Sequence, residues 1–271
     1  MIETFLAHSG AVLVRAWTMF GQLTRIPVTL TYAAMLTGVA CLLVEQDPEV
    51  HDRVVLAAST NLHNLRNGHF GTLLSSAFIT EAGPVYTWLP GLMCLLALAE
   101  LIWRSGRLVL TFTLGHIGAT LLVAAGLAVA IRIGWMSASV GRDIDVGMSY
   151  GAAAVLGALT AAVPPRWRPA WIGWWVGIGL VVASVTRDFT DVGHVTALLL
   201  GILVSTRLDR PDCWTTGRRF MFVIAAMFGL LMLASPGPLV AAGAGVLGAV
   251  LAQAVARVAV NAFEVRHAHR L

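Results

Sequence analysis

The sequence predicts an all-α polytopic membrane protein, and three observations carry that class. Of 271 residues, 58% are hydrophobic and only 12% charged, about half the charged share of a soluble domain. Mean hydropathy is +0.79. Apolar runs near 20 residues recur along the chain, and about 20 residues at 1.5 Å rise cross a hydrocarbon core of about 30 Å. Together these exclude a soluble enzyme, a disordered chain and a secreted disulfide scaffold. The 27 glycines and 9 tryptophans fit closely packed helices with aromatic anchors at the lipid interfaces.

Eight spans follow in order: 27–44, 85–103, 108–131, 148–163, 171–185, 193–206, 220–235 and 239–258. The fourth to sixth are short or rich in small residues. The last, rich in Ala and Gly, is either a true span or an interfacial helix. The loop at 45–84 is partly apolar and too long to be structureless, so it predicts short helices at the outer interface. Residues 1–26 carry no cleavable signal, because Arg15 interrupts their only apolar stretch. Phe5, Leu6, Leu13, Trp17 and Phe20 form either the apolar side of an interfacial helix or part of a frayed tail.

Charge sets the orientation. All 18 basic residues are arginine and the net charge is +4, with a pI near 9.5. A nucleic-acid partner is excluded, since the arginines fall in short loops between spans and form no patch. With a cytoplasmic N-terminus, the inside segments hold 13 arginines against four acids. The outside segments hold five arginines and nine acids. The positive-inside rule therefore predicts a plasma-membrane protein with both termini cytoplasmic. Cys41, Cys94 and Cys213 follow no metal or disulfide motif.

Polar groups within spans default to functional candidates. Glu100, near the inner end of the second span, is expected to snorkel to Arg104 or Arg107. His116 in the third span is either a neutral histidine bonded to a neighbouring helix or a functional group. The segment Asp145-Val146-Gly147-Met148-Ser149-Tyr150-Gly151 opens the fourth span, and Asp191-Val192-Gly193-His194 opens the sixth. Ser149 lies about 6 Å below Asp145, and His194 about 4.5 Å below Asp191. Both spans descend from the outside, so Ser149 and His194 share a depth. That is the necessary condition for a serine whose proton a histidine removes. Small residues recur every four positions, as Ala153, Gly157 and Ala161 and as Gly193, Ala197 and Gly201, which favours close approach. The alternative is a small-residue helix pair whose Ser and His only bridge each other.

Four stretches carry a family likeness: Gly68-His69-Phe70-Gly71 through Ser76-Ala77-Phe78, Glu100 with Gly106, Gly147-Met148-Ser149-Tyr150-Gly151 with Gly157-Ala158, and Gly193-His194 with Ala197 and Gly201. They resemble the rhomboid family of intramembrane serine proteases. The resemblance implies a six-span core over 27–207, with 208–271 adding about two spans and a cytoplasmic tail. It implies Ser149 as nucleophile and His194 as base, a dyad without a third carboxylate. Gly147, Met148, Tyr150 and His116 become oxyanion or supporting candidates; Gly151, Gly157, Gly193, Ala197 and Gly201 become helix-packing positions. Substrates would be membrane-spanning proteins cut near their outer end, with no metal, no cofactor and no nucleic acid. Tyr150 stands where the family has glycine, Phe70-Gly71 replace a Trp-Arg pair, and Pro84 and Trp88 stand near the family's His and Asn. Those departures support the alternative, an inactive member that binds or chaperones membrane helices. A transporter is disfavoured by the lack of an inverted repeat.

Overall fold

The computed structural model describes residues 24–80, 83–186, 188–234 and 237–268, and side chains as far as residue 261. The interfacial-helix expectation for the N-terminal tail falls on residues 1–23 and lies outside the described residues. Among the described residues all regular structure is helical. In chain order the helices are α1 (Pro27–Val44), α2 (Pro48–Ala58), α3 (Leu62–Arg66), α4 (Thr72–Ser75), α5 (Val85–Arg132), α6 (Ser149–Ala158), α7 (Arg168–Thr186), α8 (Phe189–Ser205), α9 (Thr216–Leu233) and α10 (Pro238–Ala268). Local chemistry sets the starts. Proline opens α1 and α2, where its missing N–H costs nothing. The side chains of Asp188 and Thr215 accept from first-turn amides of α8 and α9.

Each expected span falls on a helix, and the molecule is an all-α polytopic membrane protein. Among the described residues five helices are long and apolar enough to cross a bilayer, α1, α5, α9, Pro165–Thr186 and Pro238–Asn261, and α6 and α8 are shorter apolar helices. Helix α5 is two helical segments that meet in an elbow at a single non-helical residue, Arg104, with φ 68° and ψ 164°, so the second and third expected spans are both present and turn where a loop was expected between them.

The elbow explains the neighbouring contacts. Breaking a helix leaves carbonyls without their N–H partners, and Arg218 donates to the Leu101 carbonyl at 3.1 Å. The Trp103 indole donates to the Asp209 carbonyl at 2.8 Å, and Arg107 pairs with the Asp209 carboxylate at 2.6 Å. The expected pairing of Glu100 with Arg104 or Arg107 is corrected by the structure. Glu100 is 2% exposed. It accepts from the amides of Val28 and Thr29 at 3.0 and 2.8 Å, and from the hydroxyls of Thr29 and Ser105, each at 2.7 Å. The carboxylate caps α1 from another helix. The N-cap residue Ile26 has no side-chain acceptor for α1, so first-turn donors and a favourable helix dipole were available to an inward-pointing anion.

Helix α6 lies at the centre. Every residue from Tyr150 to Ala158 is buried, with α5, α8 and α9 packed around it. Its Ala- and Gly-rich sequence carries little side-chain volume, so the neighbouring backbones come close. The larger core residues, Leu92, Leu95, Leu98, Trp175, Ile178 and Leu198, fill the surrounding layer. On the far side, α7 and α10 cross where a β-carbon at Gly173 or Gly248 would overlap the other's backbone.

Candidate active site

Residues 45–80 fold as short helices and dock on the turn that opens α6. Asn61 accepts from the Asn64 amide at 2.9 Å, capping α3. The Asn64 side chain donates to the carbonyls of Leu56 and Ser59. Three bonds then hold the 145–147 turn. Thr60 N–H donates to the Asp145 carbonyl at 2.9 Å, Gly147 N–H to the Ser76 carbonyl at 2.8 Å, and Asp145 N–H to the Ser59 hydroxyl at 2.8 Å. Gly147 has φ +124°, a conformation that only glycine adopts cheaply. Ser149 follows as the first residue of α6. The first-turn N–H groups beside it have no carbonyl partner within the helix. They and the positive end of the helix dipole favour negative charge at this point.

Helices α6 and α8 run side by side in the same direction. A β-carbon at Gly201 would overlap the Ala154 carbonyl, and one at Gly157 would overlap the Leu198 carbonyl. A β-carbon at Gly193 would enter the Tyr150 ring. That register places Tyr150, the residue after Ser149, beside Gly193 and His194. Gly151 faces another helix: its missing β-carbon makes room for the Phe112 ring of α5, 2.5 Å from where that carbon would stand. Ala197 is fully buried within a small cluster with Ala119, Tyr150, Ala153 and Ala154.

Ser149 is half-buried and His194 is 7% exposed. Among the described residues neither ring nitrogen of His194 has a hydrogen-bond partner, so no hydrogen bond joins it to Ser149. Its ring packs edge-on against Tyr150 with centroids 5.3 Å apart. Its Nδ1 lies 3.6 Å from the Asp191 carboxylate. Asp145 approaches from the turn before α6. Burial pushes its carboxyl up to about 6, while Tyr150 and His194 pull it partly back.

His116, a sequence candidate for oxyanion support, sits behind this turn. Its Nε2 lies 3.2 Å from the Ser76 hydroxyl, which also accepts from Thr60 at 2.7 Å. Pro84 ends as the residue before α5, and Trp88 is buried with its indole directed to the Gly83 carbonyl. Sequence reasoning missed the buried Thr60–Ser76–His116 chain. The Ser-Ala-Phe at 76–78 and His116 itself were its traces, but nothing in the spacing pairs a loop serine with a histidine 40 residues on.

Comparison with known proteins adds one finding. No curated protein and no solved structure matches the chain. A family described as "Rhomboid-like protein" matches residues 22–210, which holds α1 to α8 and every site residue named above. Since that match spans well over half the sequence, the chain belongs to the rhomboid-like protein family.

Proposed function

We propose that this protein is an intramembrane serine endopeptidase that cuts membrane-spanning proteins near the membrane surface. Ser149 is the nucleophile and His194 the general base. In the acylation step the Ser149 hydroxyl oxygen bonds to the scissile carbonyl carbon, and its proton passes to His194. The C–N bond then breaks, the histidine returns that proton to the leaving amine, and water releases the acyl group by the same route. First-turn amides of α6 serve the oxyanion, with Gly147 and Met148 setting their direction. No metal or cofactor is required. The excess of arginine at the elbow end supports cytoplasmic termini in the plasma membrane, so cleavage occurs at the outer end of the bundle.

One observation carries this reading: a buried imidazole without hydrogen-bond partners, packed against Tyr150, the residue after a serine at a helix start. Buried polar groups are nearly always paired, and an unpaired one is a cost that stability alone does not explain. A second reading, a protein that holds client helices without cutting them, is favoured by the absent Ser149–His194 bond and by the Tyr150 ring over Gly193.

A fluorophosphonate probe applied in native membranes separates the two. The protease labels at Ser149, and both Ser149→Ala and His194→Ala abolish labelling. Absence of labelling in wild-type protein, in membranes and in detergent, refutes the protease and leaves the client-binding reading.

A further inference from the structure

We infer that a groove between α7, α9 and α10 binds an anionic phospholipid, an acyl chain lying along the groove and the phosphate at Arg219. The groove shares no residue with the candidate active site and stands whether or not the protease reading does. Helices α9 and α10 lie beyond the 22–210 family match. Helices α7 and α9 meet at Gly229, where an added β-carbon would stand 3.1 Å from the Trp175 ring. From that level to the helix starts they leave a groove of about 750 Å³, flanked by Ala249 of α10. Phe222 lines it in contact with Trp171 and Trp214, ring centroids 4.9 and 5.5 Å away. Among the described residues, Arg219 is the one charged side chain in the lining.

Length and charge select the occupant. The α9 lining runs from Arg219 to Leu230, about 16 Å of helix, which matches one leaflet of a hydrocarbon core about 30 Å thick. Spread over that length, about 750 Å³ leaves a mean cross-section of about 45 Å², roughly half that of a helix 10–12 Å across. A membrane-spanning helix therefore does not fit within the groove, and an acyl chain does. The open end is basic: residues 164–168 and 207–219 hold six arginines against two acids, and one of those acids, Asp209, is paired with Arg107. Arg168 and Arg218 direct their guanidinium groups to backbone carbonyls. Arg219 is exposed and has no ion-pair partner among the described residues. A guanidinium fork matches the two free oxygens of a phosphodiester, and tryptophans cluster at the level where head groups meet hydrocarbon. Basic recesses between spanning helices are sites for anionic head groups.

The experiment titrates detergent-solubilised protein with phosphatidylglycerol or phosphatidylcholine of identical acyl chains and counts bound copies by native mass spectrometry. Wild type is expected to bind its first phosphatidylglycerol at least about fivefold more tightly than phosphatidylcholine. Arg219→Ala lowers the phosphatidylglycerol affinity by about fivefold and leaves that for phosphatidylcholine unchanged. Ala226→Trp, which fills the groove, weakens both lipids. Should Ala226→Trp lose its helical circular dichroism or monodisperse elution, Ala249→Phe blocks the groove from α10 instead. Equal wild-type affinities for the two lipids overturn the inference. So does a phosphatidylglycerol affinity within about twofold of wild type in either Arg219→Ala or the blocked variant. A wild-type dimer that the blocking substitution dissociates assigns the groove to a second copy of the chain and overturns it as well.

Discussion

Replacing Glu100 by Gln tests the packing of α1 on the core most sharply. Each carboxylate oxygen serves one backbone amide and one hydroxyl: Val28 and Ser105 on one oxygen, Thr29 twice on the other. Glutamine turns one oxygen into an NH₂ group. A hydroxyl can rotate and accept from that group, but a backbone N–H cannot. Whichever way the amide points, one buried N–H faces another donor, at about 1–3 kcal/mol. The remaining amide bond loses its charge assistance, about another 1 kcal/mol, and the helix start loses its anion, about 0.3–1 kcal/mol. The expected loss is about 2–5 kcal/mol. It is read from unfolding in mixed SDS micelles extrapolated to zero denaturant. Arg107→Ala is the control, because its pair with Asp209 is exposed and should cost less than about 1 kcal/mol. A Glu100→Gln loss below about 1 kcal/mol, or an equal loss in Arg107→Ala, refutes the capping argument and restores the snorkelling one.

Two further predictions use the same assay. The Asp145 carboxyl titrates near 6 in the fold, above its unfolded value, so the folded state keeps a proton that the unfolded chain has lost. Stability therefore falls as pH rises from about 4 to about 6 and stays lower above that window. Asp145→Asn flattens this slope and, at pH 7, stabilises by up to about 2 kcal/mol after discounting for partial exposure; a variant as steep as wild type over pH 4–6 refutes it. Arg104 occupies φ 68° and ψ 164°, a region nearly restricted to glycine that costs other residues about 1–3 kcal/mol. Arg104→Gly should gain about 1 kcal/mol net of glycine's unfolded-state entropy, while Arg104→Ala, which keeps a β-carbon, should gain nothing. Equal effects of the two variants count against backbone strain at the elbow.

The helices were legible because the hydrocarbon core imposes a length on every apolar run, and that length survives any tertiary detail. Height along each helix was legible for a related reason: 1.5 Å per residue converts sequence position into depth, and α6 and α8 do share a direction. Partners were not legible. Glu100 lies four residues from Arg104 in sequence, a spacing that favours an ion pair on a straight helix. The elbow at Arg104 breaks that geometry, and the carboxylate turns instead to amides on α1, some 70 positions away. His116 shows the same limit. Its bond to Ser76 joins a span to a loop whose fold is written in turn chemistry around Asn61 and Asn64, without helical periodicity. Asp191 was visible as a residue and invisible as a contact, because the Thr186 hydroxyl that it accepts from belongs to α7.

Tyr150 is one place where the sequence departs from the family pattern it resembles, and its surroundings give the departure a physical account. A bulky residue after the serine would keep α6 and α8 apart if the facing position carried any side chain. Here the facing position is Gly193, and the space a β-carbon would need is filled by the tyrosine ring. Crowding between the helices is thus relieved from the histidine's helix, and Gly151, freed of that duty, accommodates Phe112 of α5. The exchange has a consequence for chemistry. The ring that fills the gap also packs edge-on against His194. On the protease reading proposed above, access of a substrate to His194 calls for movement of that ring, while the α6–α8 crossing at Gly157 and Gly201 stays fixed. The closed site and the tight helix pair are separable, and Tyr150 governs only the first.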